Sequence, residues 1–257
     1  MNIKVVLEYD GTGFSGWQQQ AARRTVEGEL KRALEELTGK RITVYGAGRT
    51  DAGAHALGQV VNFRLPEGSL GVSRLVAALN AKLPADVSAL SAAVVPDEFH
   101  ARYAAIGRRY RYRYLDRPGR PALDRDRCWH LPGPLAERAM GEAARGLVGR
   151  HDWTSFCSAS EPATARTRTM RAATVRRSEE FVELELEAEG FLRGLVRGIA
   201  GALAEVGSGR RPPGWVGELL AARDRRRTAA DLVKTAPARG LTLLEVIYRP
   251  ESTKETS

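Results

Sequence analysis

The sequence Gly46-Ala47-Gly48-Arg49-Thr50-Asp51-Ala52-Gly53-Ala54-His55 lies between two segments that have the residue pattern of β-strands. Its three glycines allow the backbone to turn sharply and to approach a ligand closely. One carboxylate, that of Asp51, follows the cation of Arg49 by two residues. This composition fits either a reaction centre or a glycine-rich hairpin with a solvated ion pair, and the spacing alone leaves both interpretations open.

The segments around this loop follow a regular order of strands and helices. Alternating β-forming residues predict strands, and apolar residues spaced three and four apart predict helices. In the first half the pattern predicts strand 3–9, helix 25–38, strands 41–46 and 58–65, a helix that Ser73 caps and that runs to Leu83, and strand 87–95. The order is β-α-β-β-α-β, with the glycine loop between the second and third strands.

The second half of the chain repeats that order without evident sequence identity to the first. Its pattern predicts strand 107–115, a helix from Pro134 to about Val148, strands 167–177 and 181–189, helices 191–206 and 215–222, and strand 241–249. Two such units are typical of two ferredoxin-like domains, so we expect an α+β fold with antiparallel sheets flanked by helices and a cleft between the domains. We place the domains at residues 1–104 and 105–250, followed by a disordered tail at 251–257.

The composition favours an anionic partner. The 257 residues carry a net charge of +9, with an isoelectric point near 9.9, and most of the 40 basic residues are arginine. Guanidinium groups grip phosphate and stack on bases, although a GC-rich gene would favour arginine equally. No uninterrupted apolar run is long enough to cross a membrane, and the N-terminus lacks a signal-peptide pattern. Cys128 and Cys157 form no disulfide framework or metal motif, so we expect a cytoplasmic protein.

Arginine and tyrosine alternate strictly through residues 109–114. In a strand, this alternation places the three tyrosines on one face and the three arginines on the other. The tyrosines then either pack in a core or send one ring into a cleft, and the arginines either stay in water or meet phosphates. The pattern allows both, because a face need not be uniform along a strand.

Arg193 and Arg197 lie four residues apart in the predicted helix 191–206, and therefore on one face. Arg197 is surrounded by small residues, Gly194, Gly198 and Gly201, which allow another backbone to approach closely. A buried arginine in such a place needs an anion. A side chain that extends along the helix into solvent fits the same spacing.

Several other catalytic patterns are missing from the sequence. It has no phosphate-binding P-loop, no GxGxxG, no zinc-deaminase motif and no GxSxG elbow. Its four histidines are scattered without the spacing of metal ligands. An enzyme with this sequence is expected to work without a metal or redox cofactor, which leaves Asp51 as the leading nucleophile or base.

The segment GAGRTDAGAHALGQVVNF at 46–63 strongly resembles the central motif of the TruA family of tRNA pseudouridine synthases. Six further blocks match the family in the same order along nearly the whole chain. They are YDGTGFSGWQQQ at 9–20, LNAKLP at 79–84, FHARYAAIGRRYRYRY at 99–114, DWTSFC at 152–157, FLRGLVRGIAG at 191–201 and WVGELLAARDR at 215–225. A short motif can arise by chance, but six more in the family's order are very hard to explain in that way.

The resemblance implies conversion of uridine to pseudouridine at positions 38–40 of tRNA, in the anticodon stem-loop. It also implies a homodimer that needs no cofactor and no metal. Asp51 is then the catalytic aspartate, Tyr110 the active-site tyrosine and Arg197 the partner of Asp51, while Arg49 matches an arginine that helps to extrude the base. The alternative function is a tRNA-binding or RNA-folding module with a silent pocket.

Neighbours of these residues complete the expected site. Thr50 and His55, on the glycine loop, and Arg109 and Arg111, on the alternating strand, are expected to bind substrate. The chain departs from the family at Ala54, where valine is usual, and at Gly194 and Gly198, where bulkier or polar residues are common. A glycine in a helix interior costs about 1 kcal/mol relative to alanine, so these two glycines predict a less rigid helix around Arg197.

Overall fold

The computed structural model describes residues 1–66, 70–162, 165–226 and 235–250, and these form a mixed α+β fold around one ten-stranded sheet. The strands are Asn2–Tyr9 (β1), Val44–Gly46 (β2), His55–Arg64 (β3), Val87–Val94 (β4), Ala105–Leu115 (β5), Trp129–His130 (β6), Gly149–Asp152 (β7), Thr167–Ser178 (β8), Phe181–Ala188 (β9) and Leu241–Tyr248 (β10). The helices are Val26–Thr38 (α1), Val72–Asn80 (α2), Glu137–Arg145 (α3), Leu195–Gly207 (α4) and Gly214–Ala222 (α5).

The sheet runs without interruption through both halves of the chain. Its strand order is β4-β1-β3-β10-β5-β9-β8-β7, with β2 beside β3 and β6 beside β5. The halves therefore share one sheet, and the neighbours β3–β10 and β5–β6 are parallel, where the sequence pattern predicts antiparallel sheets. The boundary between residues 104 and 105 falls at the start of β5 and stays a prediction, and the tail at 251–257 lies outside the described residues.

The strand β10 comes from the end of the chain and joins the two halves. It pairs with β3 at only two positions, Thr242 with His55 and Leu243 with Ala56. On its other side, Leu243 pairs with Tyr110 of β5. Because the glycine loop runs directly into β3, this pairing brings the loop beside the middle of β5.

The alternation along β5 divides tyrosines and arginines between the two faces of the strand, as predicted, and the tyrosine face is the buried one. Tyr110, Tyr112 and Tyr114 are buried, with exposed fractions of 7%, 0% and 0%. The hydroxyl of Tyr114 donates to the carbonyl of Ala200, which fixes helix α4 on the tyrosine face of the strand. The other face carries arginines opposite the glutamates of β9, in register from Arg109–Glu187 to Arg113–Glu183.

The first helices largely follow the predicted signals, with one difference. In α1 the Thr25 hydroxyl accepts from the amide of Gly28, and Gly39 ends the helix in a left-handed conformation, with φ of 68°. Helix α2 begins two residues earlier than a Ser73 cap predicts, with Gly71 at its N-cap and no side-chain cap, and it ends at Asn80 instead of Leu83. No helix in the described ranges is long and apolar enough to cross a membrane.

Candidate active site

Buried hydrogen bonds attach the glycine loop to side chains and backbone groups of the core. The Thr50 hydroxyl lies 2.8 Å from the Tyr9 hydroxyl, and the Thr50 carbonyl accepts from the amide of Trp17. The amide group of the fully buried Gln59 donates to the Gly48 carbonyl at 2.8 Å. Thr50, which is predicted to contact substrate, is only 8% exposed, and its hydroxyl and carbonyl make hydrogen bonds that fix the loop.

Glycines also allow the chain to pack closely around the turn that contains Asp51. The turn closes with a 3.1 Å hydrogen bond from the Ala54 amide to the Asp51 carbonyl, and Gly53 within it has φ of +81°. A Cβ on Gly11 would lie 1.9 Å from the Ala54 carbonyl oxygen, so only glycine fits there. Ala54, the position where the family usually has valine, is fully enclosed at 1% exposure.

The carboxylate of Asp51 faces a guanidinium that comes from the other half of the chain. Arg197 Nη1 donates to Asp51 Oδ2 at 2.7 Å, across 146 residues of sequence. Arg197 Nε donates to the Ala236 carbonyl, also at 2.7 Å, so a second bond fixes the guanidinium plane. Both side chains are about a quarter exposed, which leaves the pair accessible from solvent.

Helix α4, which carries Arg197, begins later than the sequence predicts. It starts at Leu195, because Gly194 has φ of +75° and acts as its N-cap. Arg193 therefore precedes the helix and does not share a helical face with Arg197. A Cβ on Gly198 would lie 2.3 Å from the carbonyl oxygen of Phe156, so this glycine lets another backbone approach the helix. The sequence predicts that both glycines weaken a helix interior, but Gly194 lies at the N-cap and Gly198 makes room for the Phe156 backbone.

Tyr110 lies beside the glycine loop that contains Asp51. A Cβ built on Gly48 would be 3.9 Å from the Tyr110 hydroxyl, and the Tyr110 ring packs edge-on against Phe191 with centroids 4.9 Å apart. Burial raises the pKa of the Tyr110 phenol to about 12, and the negative charge of Asp51 adds to that rise, while Arg108 opposes it. Tyr110 is therefore a neutral hydroxyl at physiological pH.

Arg108 is a site residue that the sequence interpretation missed. It lies two residues before Tyr110 on β5, and its guanidinium donates to the carbonyls of Ala47, Arg102 and Glu189. A signal for it exists in the sequence, since Arg108 stands in the alternation where the next three same-face positions are buried tyrosines. A cation on the apolar face of a strand needs specific partners.

Two other residues of the loop, Arg49 and His55, are also predicted to contact substrate, and they differ in exposure. Arg49 is exposed on the loop, with no ion pair among the described residues. His55 is buried at 7% exposure. Its Nδ1 accepts from the Gly11 amide, and its Nε2 lies 2.8 Å from the Asp126 carbonyl, so both ring nitrogens have protein partners.

The two arginines expected to bind substrate from β5 lie away from Asp51, on the strand face opposite Tyr110. Arg109 pairs with Glu187 at 2.9 Å and with Glu245 at 3.5 Å. Arg111 pairs with Glu183 at 3.7 Å. Their charges are thus matched by carboxylates of neighbouring strands, and the structure does not bring them together with the Asp51–Arg197 pair.

The described ranges contain no group of three or more histidine, cysteine, aspartate or glutamate side chains that could hold a metal ion. Both cysteines, Cys128 and Cys157, are buried and free. What the site offers is a carboxylate oriented by the Arg197 guanidinium and, on the neighbouring strand, a neutral phenol with Arg108 near it, which together suit nucleophilic or proton-transfer chemistry.

Comparison with known proteins identifies the family. The family model described as tRNA pseudouridine synthase matches residues 5–104 and 143–249 of this chain. The chain belongs to the tRNA pseudouridine synthase family. Asp51 lies in the first matched range of this family and Arg197 in the second, whereas Tyr110 and Arg108 lie between the two.

Curated relatives within this family resemble the chain over nearly its whole length. A protein named tRNA pseudouridine synthase A from Thermoanaerobacter sp. (strain X514) is 39% identical over 247 residues, covering 96% of this chain and 99% of the relative. Proteins of the same name from Myxococcus xanthus and Geobacillus kaustophilus (strain HTA426) are 42% and 43% identical, covering 96% and 97% of this chain and 92% and 95% of the relatives.

Among solved structures, a chain of the structure titled "Crystal Structure of a Cbf5-Nop10-Gar1 Complex" aligns with 78% of this pseudouridine synthase family member and 54% of its own length. The TM-score is 0.32 and the sequence identity is 12%. This likeness is too distant to add to the description of the fold.

Proposed function

We propose that this chain converts uridine to pseudouridine at positions 38–40 of tRNA, in the anticodon stem-loop, with Asp51 as its catalytic carboxylate and without a cofactor. The observation that carries the proposal is the 2.7 Å bond between Asp51 and Arg197, on the loop and the helix that the two matched family ranges contain. Whole-length relatives named tRNA pseudouridine synthase A support the same substrate.

The reaction is an isomerisation, so its atoms balance within the substrate. The glycosidic bond from C1′ of the ribose to N1 of uracil breaks, the same uracil rotates, and a bond from C1′ to C5 forms as the C5 proton is lost and N1 gains one. Asp51 serves either as a nucleophile at the sugar carbon or as a base that removes a sugar proton. Arg197 orients the carboxylate through a charge-assisted hydrogen bond.

Tyr110 suits the second half of the reaction. Its neutral phenol, with a pKa near 12, is able to pass the proton that C5 loses, and its ring offers a surface on which the loosened base stacks. Stacking of a base on an aromatic ring contributes about 1–3 kcal/mol. Contact with Phe191 fixes the orientation of the Tyr110 ring, so little order has to be gained when substrate enters.

The target uridine is stacked in tRNA and must leave the stack, at a cost of a few kcal/mol. Arg49 is exposed on the same loop as Asp51, two residues away, and is suited to fill the vacated space or to hold a neighbouring phosphate. The net charge of +9 favours attraction of tRNA, with shape providing most of the selectivity. We further propose a cytoplasmic homodimer in which each half of a chain is one ferredoxin-like domain.

A second function fits the basic charge alone: a tRNA-binding or RNA-folding module that carries out no reaction. Asp51→Asn distinguishes the two functions. In a tritium-release assay with tRNA labelled at C5 of uridine, we expect the wild type to release tritium and Asp51→Asn to release none, while both bind tRNA equally in filter binding. Normal release by the folded Asp51→Asn variant contradicts the proposed mechanism. No release by the wild type supports the binding module.

A further inference from the structure

The guanidinium of Arg108 joins three separate parts of the chain. Arg108 Nη2 donates to the Ala47 carbonyl at 2.9 Å and to the Arg102 carbonyl at 3.1 Å, and Nη1 donates to the Glu189 carbonyl at 3.0 Å. Ala47 belongs to the loop of Asp51, and Arg102 belongs to the turn that leads into β5. Glu189 follows β9 directly, two residues before the Phe191 ring that packs on Tyr110.

These contacts neutralise no charge. No carboxylate of the described residues lies within 4.0 Å of Arg108, whereas its neighbour Arg109 pairs with two glutamates. Burial lowers the pKa of Arg108, as expected for a cation held by carbonyl dipoles alone. An unpaired and partly buried cation is costly, so the contacts that it makes have to serve more than simple packing.

The positive charge of Arg108 also acts on the site. Of the electrostatic effects on the Tyr110 phenol, that of Arg108 is the largest after burial, and it favours the ionised form, opposite to the effect of Asp51. Arg108 thus fixes the backbone that leads to Asp51 and also acts electrostatically on the Tyr110 phenol. Loss of this side chain would free the Ala47 carbonyl and leave the loop held mainly from the side of Tyr9 and Gln59.

We propose that Arg108 is a positioning residue that holds the Asp51 loop against the strand of Tyr110, and so sets the rate of the chemical step rather than the affinity for tRNA. The proposal rests on the proposed role of Asp51. A misplacement of about 1 Å at a reacting group is enough to slow a reaction roughly 100-fold, so loosening of this loop has a large kinetic effect.

The test compares Arg108→Gln and Arg108→Lys with the wild type in single-turnover pseudouridine formation on saturating tRNA. We expect the rate to fall by about 10- to 100-fold in Arg108→Gln and by less in Arg108→Lys, with the tRNA dissociation constant changed by no more than about threefold. Arg64→Gln is the matched control. Arg64 also bridges to a carbonyl and a carboxylate, those of Asp97, but it lies at the far end of β3, and we expect a wild-type rate.

A third variant separates positioning from general stability. In Arg108→Ala, added guanidinium ion is expected to restore part of the lost rate, because it can donate to the same carbonyl oxygens. Without added guanidinium ion, the backbone amides of residues 46–55 are expected to exchange hydrogen faster in this variant than in the wild type. A wild-type rate in folded Arg108→Gln overturns the proposal, and so does a loss of tRNA affinity as large as the loss of rate, which would make Arg108 a phosphate contact.

If Arg108→Gln does not fold, Arg108→Lys decides, since a wild-type rate there overturns the proposal and a slower rate at unchanged affinity supports it. Asp51→Asn in the same assay isolates the proposed function. If Asp51→Asn reacts normally, the function assigned to the carboxylate fails, whereas faster amide exchange in Arg108→Ala still reports that Arg108 holds the loop.

Discussion

Replacement of Arg197 by methionine is the sharpest test of the carboxylate–guanidinium pair. Methionine keeps much of the volume of arginine but removes both hydrogen bonds, the one to Asp51 and the one to the Ala236 carbonyl. A hydrogen bond to a charged group contributes about 1.5–3 kcal/mol. If the bond to Asp51 is needed in full in the transition state, its loss of about 3 kcal/mol slows the reaction roughly 100-fold.

The assay for Arg197→Met measures two quantities on the same protein. Single-turnover pseudouridine formation gives the chemical rate, and filter binding over a salt series gives the affinity for tRNA. The control is Arg210→Met, which removes another arginine pair, with Glu205 at 2.6 Å, near the end of the same helix. An exposed pair of that kind contributes about 0–1 kcal/mol, so we expect the wild-type rate and affinity in the control.

Two results would refute the reasoning about Arg197. Unchanged turnover together with a large loss of affinity would make it a phosphate contact that meets Asp51 only in the absence of RNA. An equal loss of rate in Arg210→Met would show that the helix as a whole, and not the bond to Asp51, governs activity.

Two further predictions concern the packing and the protonation of the site. Gly198→Ala places a methyl 2.3 Å from the Phe156 carbonyl oxygen, and overpacking that costs about 1–3 kcal/mol outweighs the gain in helix propensity. We therefore expect urea unfolding to show a lower free energy of unfolding than in the wild type. A more stable variant would contradict the close approach. Tyr110→Phe should slow the reaction roughly 100-fold, and this factor should be the same from pH 6 to pH 10, because a pKa raised to about 12 keeps the phenol protonated throughout that range. A difference in rate that disappears towards pH 10 would contradict the neutral phenol.

The local patterns of the sequence were enough to predict most elements of the fold. The residue pattern of 107–115 predicted the strand and the separation of tyrosines from arginines on its two faces, and a buried tyrosine face was one of the two arrangements left open. The apolar spacing after Thr25 predicted α1. The start of α4 was wrong, because Gly194 reads as a helical position by periodicity but adopts a left-handed conformation. Such a turn depends on what packs around it, which a periodic pattern does not contain.

The site shows a similar division between local and distant information. Asp51 was predicted from its loop, but its contact with Arg197 joins residues 146 positions apart and was expected only from the family resemblance. Spacing left Arg197 open between a buried and a solvent-exposed side chain. The substrate role of His55 stays a prediction, and its ring nitrogens bond to backbone groups of Gly11 and Asp126 that no local pattern indicates. Distances between sheet neighbours follow from strand order, and strand order was not available from the sequence.

The position of β10 in the sheet has a consequence for biosynthesis. During translation, β3 leaves the ribosome long before Leu241–Tyr248, the strand that lies between β3 and β5. Until Leu241–Tyr248 emerges, no strand of the described sheet lies between β3 and β5, and contacts of such long sequence separation form slowly. We therefore expect the Asp51 carboxylate and the Arg197 guanidinium to be held together only after Leu241–Tyr248 has been made, and a chain truncated before this strand to leave RNA unmodified.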